Sequence, residues 1–130
     1  MTKLNHINLA VSDVPQLTRF FQAGFGFRVT EQRGAGKFAV LLGDDGFALI
    51  LMHDNKVASN TYPALFHVGF LLPSEEEVKQ HHARVVGAGF EAPEPAILER
   101  GGARTFGFYC HAPGGVMVEV SALAEETARG

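Results

Sequence analysis

Three residues in this chain have the side chains that hold metal ions and fall at related places in an internal repeat: His6, His67 and Glu119. His6 opens the apolar run HINLAV and His67 opens HVGFLL. Each run leads into a helical stretch, and the two stretches stop at Gly26-Phe27 and Gly89-Phe90. Each half then closes on a glycine and a strand, GFALIL from Gly46 and GVMVEV from Gly115, a register that sets Ile50 against Glu119. A pseudo-two-fold relating the halves brings these positions towards one point, and two imidazoles with one carboxylate form a metal-binding set. A carboxylate within VMVEV costs several kcal/mol to desolvate unless a cation or strong donors meet it.

Strand parity says what else these residues see, because successive side chains point to opposite faces. His6 shares its face with Asn8 and Ala10, leaving Ile7, Leu9 and Val11 to pack against a helix. His67 goes with Gly69 and Leu71, and Glu119 with Met117 and Ser121. On the strand before, Thr105, Gly107, Tyr109 and His111 form one set, and Phe106, Phe108 and Cys110 belong to the other. The sequence therefore predicts one concave face carrying the metal ligands His6, His67 and Glu119. Tyr109 and Glu119 are its catalytic candidates, and Asn8, Ile50, Met52, Thr105 and Met117 its substrate-lining ones.

The remaining reactive side chains attract plainer readings. His81 and His82 are adjacent on a predicted helix, where neighbours cannot point together at one ion; Val78, His82, Val85 and Val86 read as its packing stripe. His53 and His111 stand at strand ends, and neither receives a role. Cys110 has core parity and reads as an inert buried thiol. No GxGxxG or GxxxxGK[ST] phosphate-binding loop occurs.

The elements that position the candidates follow from periodicity. A strand from Leu4 to Val11 precedes a helix capped by Asp13 with Pro15 in its first turn, and Leu17, Phe20, Phe21 and Phe25 follow at helical spacing. Strands near Phe27 to Arg33, Phe38 to Leu42 and Phe47 to His53 are separated by glycine-rich turns. After a polar connection over 54–63 the order repeats: Leu65 to Leu72, a helix opened by Ser74-Glu75-Glu76-Glu77, an edge strand near Ala96 to Glu99 broken from its surroundings by Pro93 and Pro95, then Arg104 to His111 and Gly115 to Ser121. The predicted fold is α+β. It comprises two βαβββ modules, over 4–53 and 64–121, forming a cup-shaped mixed sheet in one domain over 1–130, with a tail over 122–130.

Composition bounds the function. At 130 residues, 46% hydrophobic and 19% charged, the chain has the make-up of a globular domain. A net charge of −3 without a Lys or Arg cluster argues against nucleic-acid and anionic-membrane surfaces and leaves a small molecule as the expected partner. One cysteine and no apolar segment of signal or membrane length predict a cytoplasmic protein.

The segments LNHINLAVSD, FGF, FHVGF and FGFYCHAPGGVMVEV resemble the vicinal oxygen chelate superfamily, which includes glyoxalase I, extradiol dioxygenases, fosfomycin-resistance proteins and bleomycin-binding proteins; the likeness covers residues 4–121. It implies a homodimer and one divalent ion (Fe, Mn, Ni or Zn) on the residues matching His6, His67 and Glu119. Where glyoxalase I has a fourth, acidic ligand, this chain has Ile50. The extradiol histidine expected six to eight residues before Phe108 is replaced by Arg100, Gly101 and Gly102, and fosfomycin proteins carry a threonine where Asn8 stands. The expectation is thus a metal-dependent enzyme chelating adjacent substrate oxygens, dioxygenase-like or of lyase or isomerase type, and not glyoxalase I itself. The other reading is a non-catalytic module that sequesters an aromatic or hydrophobic ligand.

Overall fold

The computed structural model describes residues 1–57, 62–99 and 102–125. Part of the expected connection (58–61), Arg100, Gly101 and the end of the expected tail (126–130) lie outside the described residues. The chain divides into two compact units, Met1–Pro63 with Ala112–Gly115, and Ala64–His111 with Val116–Gly130.

The first unit contains β1 (His6–Val11), α1 (Val14–Phe25), β2 (Arg28–Arg33), β3 (Phe38–Leu42) and β4 (Ala48–His53). Its sheet runs β1-β4-β3-β2, with β1 parallel to β4 and the other neighbours antiparallel. α1 starts where the Asp13 carboxylate accepts from the Gln16 amide, which satisfies an otherwise orphaned donor. It stops at Gly26, whose φ of 74° is left-handed and suits a residue without Cβ. Leu17, Phe20 and Phe21 of α1 are fully buried, as are Leu9, Val11, Leu41 and Leu51 of the sheet. The Phe21 ring meets Phe20 and Phe27 edge-on at centroid separations of 5.1 and 5.8 Å.

The second unit repeats the plan with β5 (His67–Leu71), α2 (Glu75–Gly87), β6 (Ala96–Leu98), β7 (Thr105–His111) and β8 (Met117–Leu123), its sheet running β5-β8-β7-β6 with β5 parallel to β8. Ser74 caps α2 by accepting from the Glu77 amide and donates back to Glu77 Oε2, while the acidic first turn suits the positive end of the helix. Val78 and Val85 are buried against a sheet face made by Phe108, Cys110, Val118 and Val120.

Strand bounds shift by one or two residues at several ends, and three differences from expectation have a clear physical reason. Leu4 lies outside β1 and is 79% exposed, because pairing with β4 begins at His6 opposite Ala48. β8 runs beyond Ser121 to Leu123, so Ala122 and Leu123 are strand where tail was expected; Leu123 pairs with Thr105, and Ala122 is buried. Val86, assigned to the packing stripe of α2, is exposed, since residues adjacent on a helix diverge by about 100° and Val85 takes the inward position.

Gly107 has a positional reason. A Cβ there would stand 2.2 Å from the Val120 carbonyl oxygen and 2.7 Å from Ser121 Cα, both fixed parts of the neighbouring strand. Gly107→Ala is therefore expected to destabilise by about 1–3 kcal/mol through overpacking, seen as a melting temperature lower by roughly 4–12 °C. An unchanged thermal transition would show that β7 and β8 have slack at this point.

Candidate functional site

The two units share an internal register that makes the comparison of Ile50 with Glu119 exact in position. In the first, Asn8, two residues after His6, pairs with Ile50; in the second, Gly69, two residues after His67, pairs with Glu119. Each partner strand thus presents one side chain beside the strand that begins with histidine. In the first unit it is apolar, in the second a carboxylate.

Within the second unit, His67 Nε2 stands 3.3 Å from Glu119 Oε1. Two ligand atoms about 2.1 Å from one ion, at angles between octahedral and tetrahedral, are about 3.0–3.4 Å apart, so the pair has the bite of a chelate. The ring orientation supports this. His67 Nδ1 lies 2.9 Å from the Leu65 carbonyl oxygen, which only accepts, so Nδ1 carries a proton and Nε2 is the nitrogen that faces the carboxylate. A favourable contact between an imidazole nitrogen and a carboxylate oxygen at that distance requires a cation between them, either a proton or a metal ion. Glu119 Oε2 is occupied separately, accepting from Ser121 Oγ at 2.9 Å.

Tyr109 pairs directly with Glu119 across β7 and β8, and its ring meets the His67 imidazole edge-on at 5.7 Å. Met117 lies opposite His67, and Thr105 stands four residues before Tyr109 on β7, paired with Leu123. His111, exposed at the end of β7, lines a pocket of about 520 Å³ with Tyr109, Phe90, Pro93 and Val86.

The first unit holds His6, Asn8, Ile50 and Met52. His6 Nδ1 is 2.8 Å from Asn5 Oδ1, an acceptor, so Nδ1 is the donor in that contact. Asn8 Nδ2 donates to Met52 Sδ at 2.9 Å, and Ile50 is half-buried opposite Asn8. The structure therefore brings together His67, Glu119 and Tyr109, with Met117 adjacent, and separately groups Asn8, Ile50 and Met52. Among the described residues no three His, Cys, Asp or Glu side chains are clustered ready to hold an ion.

Other candidates have structural occupations. His82 Nε2 is 3.1 Å from the Ala92 carbonyl and its ring packs edge-on against Phe108 at 5.2 Å. Burial and the neighbouring Arg84 push the His81 pKa below its ordinary value. Cys110 is 2% exposed and burial pushes its thiol up to about 11, so it stays protonated at neutral pH. Two supporting groups, the Ser121 hydroxyl and the Leu65 carbonyl, are not among the residues expected from sequence. Ser121 was recognisable by its parity with Glu119, whereas the Leu65 carbonyl has no sequence signal.

Residues 3–120 match the family model described as the Glyoxalase/Bleomycin resistance protein/Dioxygenase superfamily. The chain belongs to this superfamily. A structure described as a possible glyoxalase from Bacillus cereus is 38% identical, covering 92% of this chain and 98% of its own, with a TM-score of 0.75. Two others share the fold at lower identity: fosfomycin resistance protein FosX from Mesorhizobium loti (16% identical, 100% and 99% covered, TM-score 0.73) and a glyoxalase/bleomycin resistance protein/dioxygenase from Nocardioides (20% identical, 96% and 85% covered, TM-score 0.74). No match was found among curated proteins. No helix among the described residues is long and apolar enough to cross a membrane.

Proposed function

We propose that this superfamily member is a metal-dependent enzyme acting on a small molecule with two adjacent oxygens. The observation that carries the reading is the His67 Nε2 to Glu119 Oε1 separation of 3.3 Å, with the His67 Nδ1 proton directed to Leu65. An imidazole nitrogen and a carboxylate oxygen at this separation match two positions of a dication's ligand set. His6 is proposed as the third ligand, on the strength of its repeat-related position and its Nδ1 contact to Asn5. When bound, a divalent ion supplies Lewis-acid polarisation of the substrate oxygens.

The chain's own residues supply the rest. Glu119 balances positive charge through one oxygen. The Tyr109 phenol, beside His67, is proposed to donate a hydrogen bond or proton to a substrate oxygen, and Asn8, Met52, Thr105 and Met117 to contact the remainder of the substrate. Dialysis against Mn(II), Fe(II), Ni(II) and Zn(II) followed by elemental analysis tests the reading: close to one ion per chain is expected. A chain that takes up no ion, yet binds hydrophobic small molecules, would instead be a sequestration module.

Ile50 narrows the chemistry further. An isoleucine offers no lone pair where glyoxalase I places an acid, so turnover of the methylglyoxal–glutathione hemithioacetal is expected to remain at background with each of these metals. Robust turnover would show that an acid at position 50 is dispensable for that reaction.

A further inference from the structure

Ser121 is 5% exposed in the middle of the second unit's sheet, and its neighbour on β5 is Leu71, four residues beyond His67. Its backbone is fixed from both sides: it pairs with Gly107 of β7 and with Leu71 of β5, and its carbonyl accepts from the Leu72 amide at 2.8 Å. Its hydroxyl donates to Glu119 Oε2 at 2.9 Å, two residues back on the same face. The close approach that brings β8 against β7 here requires Gly107, because a Cβ at that position would meet Ser121 Cβ at 2.7 Å. The two carboxylate oxygens thus have different partners, Oε2 accepting from Ser121 and Oε1 turned to His67 Nε2.

We propose that Ser121 is a positioning residue that fixes Glu119 to bind the ion through Oε1 alone, and that Gly107 is present to let Ser121 reach that place. The inference rests on the metal-binding reading above. Single-oxygen binding keeps one more coordination position open for a chelating substrate than a two-oxygen carboxylate would. It also fixes the orientation of Glu119 before the ion arrives, and hydrogen-bonding partners of this kind are typically worth 10–100-fold in metal affinity.

The experiment compares the unaltered chain, Ser121→Ala and Glu119→Ala, using Co(II) as the probe with equilibrium titration, visible absorption and melting of the metal-free protein. Ser121→Ala is expected to melt within a few degrees of the unaltered chain, to bind Co(II) ~10-fold or more weakly, and to show weaker visible bands as the released second oxygen joins the ion. Glu119→Ala is expected to bind far more weakly than either. Unchanged affinity and spectrum in Ser121→Ala, with Glu119→Ala impaired, would overturn the positioning role and leave the metal reading standing. Failure of the unaltered chain to bind, or equal binding by Glu119→Ala, would overturn the metal reading and the role of Ser121 with it.

Discussion

His67→Ala is expected to lower metal affinity by more than ~100-fold while leaving the fold intact. The lower bound follows from the supporting interactions alone: groups that only orient a ligand are worth 10–100-fold, and this change removes the ligand atom itself. Stability should change little, because the His67 side chain is 37% exposed, its Nδ1 bond reaches a carbonyl only two residues away, and Glu119 keeps its bond from Ser121. Titration with Zn(II) or Mn(II), alongside melting of the metal-free protein, separates the two effects. Loss of affinity together with collapse of the fold would make His67 a structural residue; retained affinity would remove it from the ligand set.

The second large effect is expected at Tyr109. Its neighbours Phe108 and Cys110 are buried on the helix-packed face, and Tyr109 stands on the other, paired with Glu119 and edge-on to His67. A phenol there can donate to an oxygen acquiring charge, and losing one such donor typically costs ~10²-fold or more in rate. Tyr109→Phe keeps the ring, so metal affinity and melting temperature should hold while kcat/KM falls ~10²-fold on the true substrate. A screen of vicinal-oxygen compounds, such as catechols, α-hydroxy ketones and epoxyphosphonates, supplies the assay. Full activity in the variant would return Tyr109 to a packing role.

Much of this arrangement is legible in the sequence because it depends on local rules. Alternation puts Leu9 and Val11 inside and Asn8 outside, and the registers then set Tyr109 beside Glu119. Asp13, Gly26 and Ser74 mark helix ends by chemistry that acts within four residues. What the sequence hides depends on partners distant along the chain. Leu4 fails to extend β1 because β4 starts at Ala48, and β8 reaches Leu123 because β7 starts at Thr105; neither limit is written in the strand concerned.

The site shows the same division. Residue types and parity point to His67 and Glu119, but which imidazole nitrogen faces the carboxylate is decided by the Leu65 backbone carbonyl, invisible in side-chain patterning. Gly107 looks like an ordinary strand glycine until the Val120 carbonyl is found where its Cβ would be. Ile50 shows the opposite: the sequence repeat aligned it with Glu119, and the registers opposite Asn8 and Gly69 give that alignment a structural meaning.

A metal ion, and not a proton, is proposed to join His67 Nε2 to Glu119 Oε1. Diffraction from crystals of the metal-loaded protein, recorded on both sides of the metal's absorption edge, tests it most directly. One anomalous peak per chain is expected, about 2.0–2.2 Å from both atoms. A fully loaded crystal with its peak elsewhere, and with the imidazole and carboxylate still in direct contact, would contradict it.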